Sequence, residues 1–148
     1  MSAFNFVCNR ICLVVLCTVL LASCAGEKAM PTLHGITLVN EGPSIYNYRA
    51  FYGEVSMPND VESDPEFVGK STSSAILDIP VPPTATVSWE TPSHQIVNYS
   101  VPVRRFVPKP NEFRGVVYLV SRVGGVDVYV ADSMKSDLTT ARKVYSTK

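Results

Sequence analysis

Beyond position 24 the chain has no cysteine, because all four (Cys8, Cys12, Cys17 and Cys24) fall in its first 24 residues. The domain that follows must therefore be held by packing and hydrogen bonds, not by an internal disulfide. Charge of one sign is also missing, with 13 Lys and Arg against 13 Asp and Glu. That balance excludes a uniformly basic nucleic-acid binder. Charged residues make up 18% of the 148 positions and hydrophobic ones 46%, which excludes an ordinary disordered chain. Histidine is reduced to His34 and His94. There is no HExxH, GxSxG, CxxC or glycine-rich phosphate loop, so the common catalytic templates fail at their required residue types. The expectation is a non-enzyme with no cofactor and no metal. His34, before Gly35 at a strand start, and His94, after Pro92-Ser93, are read as surface or turn residues.

The N-terminus carries the one extended apolar stretch, Ile11–Leu21, behind a single positive charge at Arg10. It is too short to span a bilayer and has the form of a signal-peptide core. It ends in Leu21-Ala22-Ser23-Cys24, which resembles the bacterial lipobox. That chemistry predicts cleavage between Ser23 and Cys24, a diacylglycerol on the Cys24 thiol and acylation of the new amino terminus. At about 0.8 kcal/mol per buried methylene, two or more acyl chains make a lasting anchor. Ala25 and Gly26, where an Asp would retain the protein in the inner membrane, predict an outer-membrane lipoprotein facing the periplasm. An uncleaved anchor or an ordinary secretory signal is the alternative reading, and either still puts the domain outside the cytoplasm. The expected organisation is a signal over 1–23, a lipidated tether over 24–32 and a single β domain over 33–148.

What remains is rich in Val, Ile, Tyr, Phe and Thr, in short runs bounded by Pro, Gly, Asn and Asp, the signature of strands. Expected strands are Leu33–Asn40, Ile45–Tyr52, Ala75–Ile79, Thr84–Glu90, Ile96–Val103, Gly115–Arg122 and Val126–Ala131. The fold class is mainly β, a small antiparallel β-sandwich of about seven strands. The tail Ser136–Tyr145 is compatible with a short C-terminal helix on a thin apolar stripe. A tight hairpin is expected at Gly124-Gly125, both glycines supplying positive φ. In its second arm Val126, Val128 and Val130 alternate with Asp127 and Tyr129, one set facing a core and the other solvent or a partner. The prolines of Ile79–Pro83 exclude a central strand there and suit a passage from one sheet to another or along an edge, and Pro102 marks an edge or bulge.

Two clusters invite a binding role. Tyr46, Tyr48 and Tyr52 share one strand parity and stand near Arg49 and Glu54, the composition of an interface. Tyrosines at the rim of a core are the plainer reading. In the polar connection Gly53–Ser74, Asp60, Glu62, Asp64 and Glu66 place a carboxylate at every second position. This spacing fits a solvated acidic loop, a partner-binding loop or, least well, a calcium site, since the glycine and terminal glutamate of an EF-hand are missing. The neutral total conceals an asymmetry: residues 24–90 hold 9 acids and 3 bases, and residues 91–148 hold 4 acids and 9 bases.

Several segments together resemble a known group: GITLVNEGPSIYNYRAFYG at Gly35–Gly53, TATVSWE at Thr84–Glu90 with its Trp89, YSVPV at Tyr99–Val103, and the hairpin GVVYLVSRVGGVDVYV at Gly115–Val130. The chain is similar there to small Gram-negative lipoproteins that act as immunity proteins to type VI secretion phospholipase effectors. It departs from them before the tryptophan strand, where Ser71–Ser74 and Ala75–Ile79 replace a glycine-rich, cysteine-containing segment. The resemblance implies a protein that neutralises a phospholipase toxin in the periplasm by tight binding, with no catalytic residue of its own. The expected partners are thus a secreted phospholipase effector and, through the lipid, the membrane, with no nucleic acid. Candidate contacts are Tyr48, Arg49, Tyr52, Glu54 and the Asp60–Glu66 carboxylates. The alternative is a structural or assembly lipoprotein of an envelope secretion machine, binding through a sheet edge or loop.

Overall fold

A computed structural model describes residues 30–57, 66–67 and 72–148. The segment expected as a signal, with Ser23 and Cys24, and the loop residues Asp60, Glu62 and Asp64 lie outside the described residues. Runs rich in β-branched residues alternate with turn formers along this chain and give ten strands among the described residues: β1 (Thr32–Asn40), β2 (Ile45–Tyr52), β3 (Val55–Ser56), β4 (Glu66–Phe67), β5 (Thr72–Ile79), β6 (Ala85–Glu90), β7 (Ile96–Val101), β8 (Val116–Arg122), β9 (Gly125–Ala131) and β10 (Arg142–Ser146). The first sheet has the order β10-β9-β8-β1-β5, and the second β3-β2-β6-β7, with β4 also pairing β2. The pairing of β1 with β8 is parallel, and all the others are antiparallel.

The two sheets share one core. Ile36, Leu38, Leu119 and Val128 from the first pack in the same buried cluster as Tyr48, Ala50, Val87 and Trp89 from the second. This is a β-sandwich arrangement, as the composition predicted. Ile79–Pro83 carries the chain from β5 in the first sheet to β6 in the second. Pro102 lies just past the end of β7 and starts a short 3-10 turn, Val103–Arg105.

Three local expectations are corrected. In the β8–β9 hairpin Arg122 pairs with Gly125, so the corner is Val123-Gly124; only Gly124 has a left-handed φ, of 75°, and Gly125 is already in the ladder. The tail forms a strand and not a helix. Asp137 bends the chain by accepting hydrogen bonds from the Thr139 hydroxyl and the Thr140 N–H, and residues from Arg142 onward pair with β9. Helix formation loses here to a side chain that competes for backbone donors and to a β-branched, aromatic run that a waiting sheet edge can bind. Finally, most of the outer face of β8–β9 is covered by the chain itself, with Tyr129 left partly exposed. Met134, Leu138 and Ala141 fold back over Val39, Tyr118, Val120 and Ala131, and the Tyr118 hydroxyl donates to the Ser136 carbonyl at 2.8 Å. The β8–β9 part of the first sheet is therefore covered on both faces by its own chain, which explains the unbroken burial of Val116–Ser121, whereas Leu33 of β1 and Ile76 of β5 stay exposed on the outer face.

Candidate binding surface

The second sheet has one uncovered face, and a single irregularity decides which side chains reach it. Tyr46 pairs with Glu90 and Arg49 with Ser88, so Asn47 and Tyr48 together oppose Trp89 in a β-bulge. Asn47 absorbs the extra residue at φ 48°, a left-handed conformation that asparagine tolerates. The bulge resets the alternation. Ile45 and Tyr48 both face the core, followed by Ala50 and Tyr52, while Arg49 and Phe51 face outward.

Tyr48 and Tyr52 are thus removed from the candidate contacts, each being 1% exposed. Tyr48 stacks on Trp89 at 6.4 Å, and Trp89 meets Tyr99 at 5.3 Å. Burial raises the Tyr48 hydroxyl well above its ordinary range, opposed by the hydrogen-bonding hydroxyl of Ser121. Arg49 and Glu54 remain exposed, as proposed, and Phe51 joins them. No ion pair among the described residues involves Arg49. Glu66 lies in β4 opposite Tyr46, so the acidic connection rejoins the second sheet beside the bulge.

Glu90, at the end of β6, is pinned from two sides. Asn47 Nδ2 donates to its Oε2 at 2.7 Å, and His94 Nδ1 donates to its Oε1. Those two hydrogen bonds, the His94 one first, hold the Glu90 carboxyl below its usual range. His94 is exposed in a turn, as expected. Its N–H bonds the Thr91 carbonyl at 2.8 Å and the Thr91 N–H bonds the Gln95 carbonyl at 2.9 Å, a three-residue hairpin loop whose last position usually holds glycine. His94 occupies that position at φ 60°. Two of the three non-glycine residues with positive φ among the described residues therefore flank one carboxylate. Strain of this kind collects where a surface must hold a fixed shape. Beside the clamp, Asn47, Arg49, Ser88, Trp89, Glu90 and Ile96 line an open groove of about 350 Å³. It offers a cation that forms no ion pair among the described residues, a fixed carboxylate and an exposed isoleucine, the elements of protein recognition.

His34 is not a surface residue; it is fully buried. Its Nδ1 lies 2.8 Å from the Thr32 carbonyl and its Nε2 3.1 Å from the Tyr52 hydroxyl. A carbonyl can only accept, so Nδ1 carries the proton and Tyr52 donates to Nε2. Burial lowers the imidazole below its ordinary value, against the opposing pull of the Thr32 carbonyl and Asp78. The signal that reveals this position is the phase of His34, Ile36 and Leu38 along β1, which share one face.

A second polar cluster ties the first sheet. Asp127 Oδ2 accepts from Lys143 Nζ at 2.8 Å and from Arg122 Nε at 3.1 Å, and Oδ1 accepts from the Ser146 hydroxyl at 2.7 Å. Arg122 also reaches Glu41 at 2.6 Å. Burial pushes the Asp127 carboxyl up, but the bonds from Lys143 and Ser146 and the two cations outweigh it and hold it below its usual range. Among the described residues no three His, Cys, Asp or Glu side chains come together as a metal site. Comparison with known protein families, with curated proteins and with solved structures finds no match to this chain.

Proposed function

We propose that this chain is a lipid-tethered envelope protein that binds a phospholipase toxin and neutralises it, using the outer face of β2–β6–β7 as its docking surface. One observation carries the assignment of that face. The outer face of β8–β9 is largely covered by the chain itself, whereas the second sheet presents Arg49 and Ile96 in a groove whose carboxylate is held by Asn47 and His94, with Phe51 exposed on the same face as Arg49. Interfaces draw on arginine, aromatic and aliphatic side chains of this kind, held by a rigid scaffold. The lipobox at Leu21–Cys24 supports the tether, and the resemblance of the Gly35–Gly53, Thr84–Glu90 and Gly115–Val130 segments supports the toxin as partner. Neutralisation needs no chemistry from the chain, since covering the toxin's active site or its membrane-binding surface suffices.

The test is to express a phospholipase toxin encoded beside this chain's gene in the periplasm, with and without the chain. Protection of the cells, together with co-purification of the two proteins, is the expected result. Unprotected cells and no complex would overturn the reading. Loss of secretion on deleting the gene, without sensitivity to attack, would point instead to an assembly role.

A further inference from the structure

The edges of the two sheets are unequally guarded. Among the described residues β10 carries Arg142 and Lys143 and a register shift, β3 and β4 are two residues each, and β5 carries Asp78. β7 differs from all of these. Its sequence, Ile-Val-Asn-Tyr-Ser-Val, holds no charge, no glycine and no proline, and among the described residues it pairs with β6 alone. Charges, prolines, bulges and short length are what normally keep an edge from accepting another strand.

The direction of its backbone groups follows from the hairpin. The Thr91 N–H bonds the Gln95 carbonyl, and in an antiparallel ladder bonded pairs recur at every second residue. Trp89–Val97, Val87–Tyr99 and Ala85–Val101 are then the bonded pairs, which leaves the N–H and C=O of Ile96, Asn98 and Ser100 pointing away from the sheet. Their side chains lie on the exposed face, and Ile96, 75% exposed, is also a wall of the groove. Outward N–H and C=O groups at strand spacing are complementary to an extended backbone.

From this edge we propose that the partner binds by strand addition, an extended segment of the toxin pairing with β7 and sending side chains across Ile96 into the groove. The inference rests on the binding role proposed above and deepens it. The tether argues against a second copy as occupant. Val101 pairs with Ala85, Ala85 with Tyr52, and Tyr52 bonds His34, so Val101 lies at the end of the sandwich where the 24–32 tether enters β1, and Ile96 lies at the far end. Two copies joined through antiparallel β7 strands would have their tethers at opposite ends, incompatible with one membrane. A strand from an untethered protein meets no such conflict.

The experiment measures amide hydrogen exchange in the lipidated full chain in detergent, with the toxin and separately with a synthetic peptide of residues 96–101. That untethered peptide can pair in either direction. The expected result is protection of the Ile96, Asn98 and Ser100 N–H groups in both cases. Asn98→Pro removes one outward donor and leaves the β6 ladder whole, so it is expected to weaken toxin binding by about tenfold or more, while Asn98→Ala binds like the unaltered chain. Trp89 fluorescence checks that the proline variant keeps its fold, and Ser100→Pro replaces it if it does not. Toxin binding without protection of the three amides overturns strand addition and leaves the proposed function standing. Peptide protection with no toxin binding overturns the function and keeps the receptive edge. Absence of protection by either probe overturns the inference.

Discussion

Nε2 of His34 accepts a hydrogen bond from the Tyr52 hydroxyl at 3.1 Å and so joins β1 of one sheet to β2 of the other inside the core. This bond requires a neutral imidazole acceptor, and burial favours that form.

Stability is expected to fall with acid in a defined window. The folded His34 titrates below its ordinary value of 6.5, so on acidification the unfolded chain takes up the proton first. Stability is then level above about pH 7 and falls below about 6.5, by up to about 1.4 kcal/mol per pH unit until the folded residue itself titrates. Glu90, Asp127 and Asp137 are all held low and contribute only at more acidic pH. Urea denaturation between pH 5 and 8 checks this, with His34→Gln expected to be less stable but flat across the window.

Asp127→Ala is expected to cost about 2 kcal/mol, since a nearly buried carboxylate with three side-chain donors is lost while Lys143 and Arg122 remain half exposed and keep their water. The loss should concentrate in β10, whose Lys143 and Ser146 it holds. Hydrogen exchange comparing β10 with β8 reads that difference.

The outer and inner residues of β2 are expected to separate binding from folding. Arg49→Glu and Phe51→Ser should weaken toxin binding by about tenfold or more while shifting stability by no more than about 0.5 kcal/mol. Tyr48→Phe should do the reverse, costing about 1 kcal/mol through the hydroxyl that faces Ser121 and leaving affinity unchanged. Calorimetric binding and thermal melts on the same samples check both.

Cys24→Ala is expected to release the protein from the membrane without touching the domain. The variant should fractionate as a soluble periplasmic protein and bind the toxin with unchanged affinity. Retention in the membrane fraction would argue for an uncleaved anchor.

Much of the sandwich was legible because strand periodicity and turn chemistry coincide in this chain. Ile45–Tyr52 runs between the same residues in sequence and structure, and the prolines of Ile79–Pro83 mark the passage between sheets. The candidate contacts were less legible, for two physical reasons. A bulge at Asn47 inverts the facing of everything after it, and nothing in the alternation of Tyr46, Tyr48 and Tyr52 announces the extra residue. Likewise, the fate of the Asp127–Tyr129 face depended on where a distant segment, Met134–Ala141, would settle. Tertiary cover of this sort overrides the solvent-facing pattern of a single strand.

The parallel pairing of β1 with β8 has a cost in time. Synthesis delivers Thr32–Asn40 before every other described strand, yet one of its two ladders is completed only by Val116–Arg122, late in the chain. Until then Ile36 and Leu38 have no second neighbour in the sheet, and a loop through most of the domain must close before the core can form. Folding of this protein is therefore an event that follows the delivery of its last third, and the earliest strand is the one that waits longest with its apolar face uncovered.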